Sequence, residues 1–229
     1  FYDGLMTGLM LNNRTLIRKP FSFSVSPTYS AKTKRLIGKS IVSYNHLLRN
    51  NNRLYSIIYS VGYGTSHYAP QSRYQQFVPQ VVFQFRDPNL RKNKKGYVHL
   101  KYVDVHRENA FLAIDENTID YSVLSIKQGF STAEGTQTFK HEADLQFSDK
   151  FGKAKIEMEY RKLFLNNREI KIRGFAGTFL YRNTNSNFFD FGLDRPTDYL
   201  FEYNLLGRSE LSGFFSQEYV TAEGGLKSK

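Results

Sequence analysis

The chain has 229 residues, 40% hydrophobic and 23% charged, with a formal net charge of +11 and a sequence pI of about 9.6. This balance excludes a disordered chain, which lacks the apolar surface to offset its ordering entropy. The mean hydropathy of -0.50, with no stretch near the roughly 20 apolar residues of a spanning helix, excludes a helical membrane protein.

The absence of cysteine removes both a disulfide framework and a thiolate metal site. Aromatic residues make up 16% of the chain, as 20 Phe and 16 Tyr with no Trp. The chain opens Phe1-Tyr2-Asp3 without a Met or a signal segment, which predicts a start inside a longer protein or after processing.

In chain order, Phe21-Ser22-Phe23-Ser24-Val25-Ser26 alternates strictly and reads as a strand. Residues 35–48, 53–66 and 74–86 are long runs rich in Ile, Val, Tyr and Phe, bounded by Asn, Lys, Arg or Pro clusters. In 97–106, Val98, Leu100 and Tyr102 share one face and His99 and Lys101 the other. Residues 119–130, 137–147, 153–163 and 169–182 continue the series. Turn signals separate them, among them Arg49-Asn50-Asn51-Asn52, Asp87-Pro88-Asn89 and Asn166-Asn167. The pattern predicts about ten strands before residue 185 and no helix, then a tail that mixes long loop with two further strands.

In the stretch Lys153-Ala154-Lys155-Ile156-Glu157-Met158-Glu159-Tyr160-Arg161-Lys162, composition and order point to different structures. Its composition favours a helix, yet its apolar residues fall at every second position. At 100° per residue they would scatter over two faces of a helix, whereas on a strand they share one. Period outweighs propensity, and the segment is read as a strand.

Its neighbours extend both faces. Lys140, Glu142, Asp144 and Gln146, then Lys155, Glu157, Glu159 and Arg161, then Lys171 and Arg173 form one charged surface. Phe139, Ala143, Leu145 and Phe147, then Ala154, Ile156, Met158 and Tyr160, then Ile170 and Ile172 form the apolar one. A small soluble barrel turns its apolar face inward, and a membrane barrel inverts the relation. Both alternate, so the pattern alone does not choose. Three clues favour inversion: mixed charge on the polar face, strands longer than the usual five or six residues, and Tyr at strand ends. Those tyrosines are Tyr29, Tyr55, Tyr68, Tyr74, Tyr97, Tyr121, Tyr160 and Tyr181.

Candidate chemistry is sparse. His141-Glu142 begins like a zinc-protease motif, but the second His one helical turn on is Leu145 and the segment is a strand. Asp190-Phe191-Gly192 lacks the glycine-rich and catalytic loops of a kinase. Asp190, Asp194 and Asp198 lack EF-hand spacing, and His46, His67, His99 and His106 lack ligand spacing. No catalytic, cofactor-binding or metal residue is assigned. The basic residues sit mostly in turns, as in Lys32 to Arg35 and Arg91 to Lys95, a dispersion that favours solvated loops over a nucleic-acid surface.

Two longer segments carry a family resemblance. Tyr2-Asp3-Gly4-Leu5-Met6-Thr7-Gly8-Leu9, Asn12, Lys19-Pro20-Phe21, Pro27-Thr28-Tyr29-Ser30 and Leu36-Ile37-Gly38 form the first. The second runs Phe191-Gly192-Leu193-Asp194-Arg195-Pro196-Thr197-Asp198-Tyr199-Leu200-Phe201, with Leu206 to Glu210 and Ala222 to Lys229. Together they resemble the carboxy-terminal outer-membrane barrels of Bacteroidota gluzincin metallopeptidases.

The resemblance implies an upstream zinc peptidase region, absent here, so that zinc and catalysis would belong to that region. It also implies further strands beyond Lys229. The resulting expectation is an all-β, antiparallel transmembrane β-barrel with about ten or more strands in this stretch and incomplete within it, residues 1–229 being a single barrel domain of a longer chain. It would sit in the bacterial outer membrane and anchor a peptidase-like protein, with lipid and lipopolysaccharide, and other outer-membrane proteins, as partners. Lys140, Glu142, Asp144, Lys155, Glu157, Glu159, Arg161, Lys171 and Arg173 would line its lumen. Leu145, Phe147, Ile156, Met158, Tyr160, Ile170 and Ile172 would face lipid. Two alternatives stand beside it: a soluble β-barrel or sandwich that binds an apolar ligand or a protein partner, and a basic nucleic-acid-binding β protein.

Overall fold

The computed structural model describes residues 3–13, 15, 19–49, 53–69, 72–89, 91–108, 120–191 and 199–202. Two short strands, β1 (Met6–Gly8) and β2 (Leu11–Asn12), precede β3 (Phe21–Ser30) and β4 (Arg35–Leu47). The long strands follow: β5 (Leu54–Ala69), β6 (Ser72–Arg86), β7 (Lys94–Arg107) and β8 (Tyr121–Glu134). They end with β9 (Gln137–Phe147), β10 (Phe151–Leu163) and β11 (Glu169–Arg182). Among the described residues a 3-10 turn, Asn187–Phe189, comes after them. The alternating segments therefore fold as strands, including the helix-rich composition at 153–162. Of the two strands expected in the tail, none lies among its described residues.

The strands form one antiparallel sheet in the order β1-β3-β4-β5-β6-β7-β8-β9-β10-β11, with β2 also paired to β3. From β3 onward each strand pairs with its neighbours in sequence. Short turn-rich connections return the chain to the adjacent position along most of this order, and residues 108–120 make a longer link between β7 and β8. One irregularity has a clear cause. Pro27 on β3 faces Gly38 on β4, whose φ is +145°, and a Cβ at Gly38 would collide with the Ser26 carbonyl.

The expected transmembrane barrel is not what the chain forms. The sheet is open: among the described residues β11 pairs only with β10, and no ladder joins it to β1 or β3. A sheet that crosses lipid must close, because an edge strand's amides and carbonyls find no partners in hydrocarbon. An open sheet therefore overturns the barrel. With it go the anchoring role, the lipid and lipopolysaccharide partners and the outer-membrane location. Three of the eight tyrosines expected at an interfacial girdle turn to the polar side instead. Tyr121 is buried in the core cluster, Tyr97 hydrogen-bonds Glu142 and Tyr74 stacks on Phe201. The side chain of Tyr68 lies outside the described residues.

The core sits at one end of the sheet's polar side. Val103, Val105, Tyr121, Val123 and Phe151 cluster there with Phe189, Tyr199 and Leu200 of the tail. Full burial of such a side chain contributes about 1.5–3 kcal/mol.

Candidate functional site: a strap over the polar face

The antiparallel register aligns side chains in rows across β7 to β11. In one row Lys101 faces Ser125, then Gln146, Lys153 and Phe179. The next carries His99, Lys127, Asp144, Lys155 and Gly177. Beyond it come Tyr97, Gly129, Glu142, Glu157 and Phe175, then Lys95, Ser131, Lys140, Glu159 and Arg173. The face thus grades from the apolar cluster into a band of mixed charge.

Two pieces of the tail cover the junction between these zones: the Asn187–Phe189 turn and the stretch Tyr199 to Glu202, here called the strap. Lys153 Nζ donates to the Phe189 carbonyl at 2.9 Å and to the Tyr199 hydroxyl at 2.8 Å. That hydroxyl donates onward to Gln146 Oε1 at 2.6 Å. Tyr121 donates its hydroxyl to the Tyr199 carbonyl at 3.2 Å, and Lys101 donates to the Leu200 carbonyl. Lys127 Nζ meets both carboxylate oxygens of Glu202, at 2.9 and 2.8 Å, and lies 3.4 Å from Glu142. Asp144, 1% exposed, accepts from Ser125 at 2.8 Å and from Gln146 at 2.7 Å, with Lys155 Nζ at 3.7 Å.

Burial is tolerated because each of these charges has a partner; an unpaired charge at this depth is strongly destabilising. The ionisation equilibria follow. Burial pushes the Glu202 carboxyl up, but the Lys127 charge and hydrogen bond, with Lys101 and Lys155, more than offset it and hold the carboxyl low. Burial pulls Lys127 down, and Glu202 and Glu142 outweigh that and raise it. Desolvation, then the charge of Lys101, lowers His99. Desolvation and the hydrogen bond to Glu142 raise the Tyr97 phenol. A cleft of about 520 Å³ opens beside this band, lined by Tyr55, Gln84, Tyr97, Lys140, Glu142 and Glu157 among others.

The nine charged residues singled out in the sequence all lie on this face by register, and most pair across strands. Arg173 meets Glu157 at 2.5 Å, Lys171 meets Glu159 at 3.0 Å and Arg161 meets Glu169 at 2.7 Å. Asp144 is buried, Glu142, Lys155, Glu157, Glu159 and Arg173 are half-buried, and Lys140, Arg161 and Lys171 are exposed. The apolar set lies on the opposite face, where Leu145, Ile156, Met158, Ile170 and Ile172 are exposed and Phe147 and Tyr160 half-buried.

Lys127, Lys153 and the strap escaped the sequence reading. The two lysines are in phase with their polar neighbours, so their face was legible. Their partners, up to 75 residues away in sequence, were not.

The discounted motifs find ordinary partners. His141 contacts Gln128 at 3.1 Å, on the opposite face from Glu142. His67 pairs with Asp3 at 2.6 Å, His106 with Asp120 at 2.9 Å, and His99 with Gln80 at 2.8 Å. Asp190 pairs with Arg182 at 3.0 Å, whereas Asp194 and Asp198 lie outside the described residues. Among the described residues no group of three His, Cys, Asp or Glu is placed to hold a metal ion.

No family model, no curated protein and no solved structure matches this chain. The fold and the site define its class: an antiparallel all-β protein whose sheet is open among the described residues, with part of its polar face covered by its own tail. The resemblance to the barrels of gluzincin metallopeptidases is not sustained, since no such family matches and no ladder among the described residues closes the sheet.

Proposed function

We propose that this chain is a binding module in aqueous solution that docks a protein partner through the apolar face of its sheet. One observation carries the reading. The usual division of an antiparallel sheet, apolar face covered and polar face solvated, is reversed here. The strap covers part of the polar face, while Leu100, Tyr102, Leu124, Leu145, Ile156, Met158 and Ile172 stand exposed on the other. An apolar face spanning this many strands exceeds what a monomer ordinarily leaves in water, and a second protein layer is the standard means of covering it.

The test is the solution behaviour of the chain with and without Ile156→Asp and Ile172→Lys. The parent chain is expected to bind a hydrophobic dye strongly and to associate with other polypeptide in detergent-free buffer. The double variant should keep its β-sheet circular dichroism and lose both properties. A parent chain that stays monomeric without binding the dye would overturn the reading, as would one that folds only in detergent or lipid.

A further inference from the structure

We infer that the strap-covered side of the sheet is a peptide-recognition groove, carried in an occupied state, and that its ligand class is a segment with the pattern Tyr-apolar-Phe-acidic. The internal occupant displays the recognition chemistry. Tyr199 inserts its ring among Phe151, Phe188 and Phe189, with ring centroids 5.8, 6.4 and 5.3 Å away. Its hydroxyl is read twice, by Lys153 as donor and by Gln146 as acceptor. The intervening residue, Leu200, is held through its main chain by Lys101. Phe201 stacks on Tyr74 at 6.4 Å with an interplanar angle of 11°. Glu202 is met through both carboxylate oxygens by Lys127.

Four successive positions are thus read as aromatic, apolar side chain with a main-chain bond, aromatic and carboxylate. Short peptide motifs are recognised in the same way, with side-chain pockets for specificity and main-chain bonds for affinity. The strap is joined to the sheet by side chains and makes no ladder with any strand, since β1 through β11 pair only with one another. A competing segment therefore replaces side-chain contacts without breaking the sheet. At high effective concentration the tethered strap suppresses binding of a free peptide, so the groove opens only when the strap is weakened. This proposal concerns the face opposite the one assigned above and is independent of it.

The test uses the full chain and a fluorescein-labelled peptide with the sequence of residues 197–204. Tyr199→Ala with Glu202→Ala weakens the strap and leaves no charge at position 202 to compete for position 127. Fluorescence anisotropy should show saturable binding to this variant, at least about tenfold tighter than to the parent chain. Adding Lys127→Glu should weaken binding by about tenfold or more, and a peptide carrying Lys at its glutamate position should restore it.

Where the double substitution does not fold, Phe201→Ala removes a single ring contact and serves instead, with the same direction expected. Absence of saturable binding by a folded, strap-weakened chain would overturn the proposal. So would binding that ignores the charge at position 127.

Discussion

Lys153 and Tyr199 lie 46 residues apart and meet at 2.8 Å, the ammonium donating to the phenol oxygen inside a ring of aromatic side chains. Phe191, Tyr199, Phe179 and Phe151 surround the Lys153 nitrogen, at 4.3, 5.2, 5.6 and 5.9 Å from their ring centroids. The cation is 1% exposed and is held among these rings, the Phe189 carbonyl and the Tyr199 hydroxyl. Ring faces carry partial negative charge, and a desolvated cation–ring contact is worth up to about 2 kcal/mol.

Lys153→Ala should therefore destabilise the chain by about 2–4 kcal/mol, because it leaves a cavity and two acceptors without their donor. Lys153→Met refills the box without a charge and should cost less. Urea denaturation of both variants followed by circular dichroism checks the order. A Met variant less stable than the Ala variant would refute the cage account.

The Lys127–Glu202 pair sets a pH dependence. Glu202 is held below its ordinary value of 4.5, so its contribution is fully present above that value and is lost as pH falls through the lower folded value. Lys127 is raised above 10.5, so its contribution is present below that pH and is lost only as pH rises through the higher folded value. Stability measured from pH 7 down to strongly acid conditions should fall less steeply in Glu202→Gln than in the parent chain. Equal slopes in the two would remove the pair from the account.

Gly129 makes room for Tyr97. The tyrosine ring lies across Gly129 on its way to Glu142, where the hydroxyl donates at 2.7 Å, and a Cβ at position 129 would collide with that ring. Gly129→Ala should cost about 1–3 kcal/mol. Combined with Tyr97→Ala, the same substitution should cost nearly nothing further, since the clash is already gone. A double-mutant cycle in urea reads the coupling directly, and additive costs would contradict the contact.

Glu108 offers a contrast. It bridges Arg35 at 2.7 Å and Arg73 at 2.8 Å, tying β4, β6 and the end of β7 together at a partly exposed position. Burial tends to raise its carboxyl, and the two arginines outweigh that and lower it. Solvent screening limits such pairs, so Glu108→Ala should cost less than about 1 kcal/mol and less still in high salt. A loss comparable to that of Lys153→Ala would show that exposure had been misjudged.

Particular residues show where the sequence was legible. Ile156 and Lys155 announce opposite faces because a strand's side chains alternate, and the register puts Ile156 beside Ala143 and Lys155 beside Asp144. Glu157 and Arg173 were placed on one face by the same rule, and they meet diagonally, since the register sets Arg173 directly opposite Glu159. Tyr97 and Tyr121 misled. Their positions near strand ends suggested an interfacial belt, whereas the phase of each strand turns both rings to the polar side. The family resemblance misled further, because likeness of short segments carries no information about how a sheet's edges meet.

By itself the sequence determined the strands, their antiparallel succession and the sorting of charge from apolar side chains, because all three depend on local alternation and short connections. Only the tertiary structure decided that the sheet is open among the described residues and that a strap near residue 200 covers part of the polar side. Open and closed sheets share one alternation, and the difference lies in whether their outermost strands pair. The strap depends on Lys127 and Lys153 finding Glu202 and Tyr199 across 75 and 46 residues, contacts that no local period encodes.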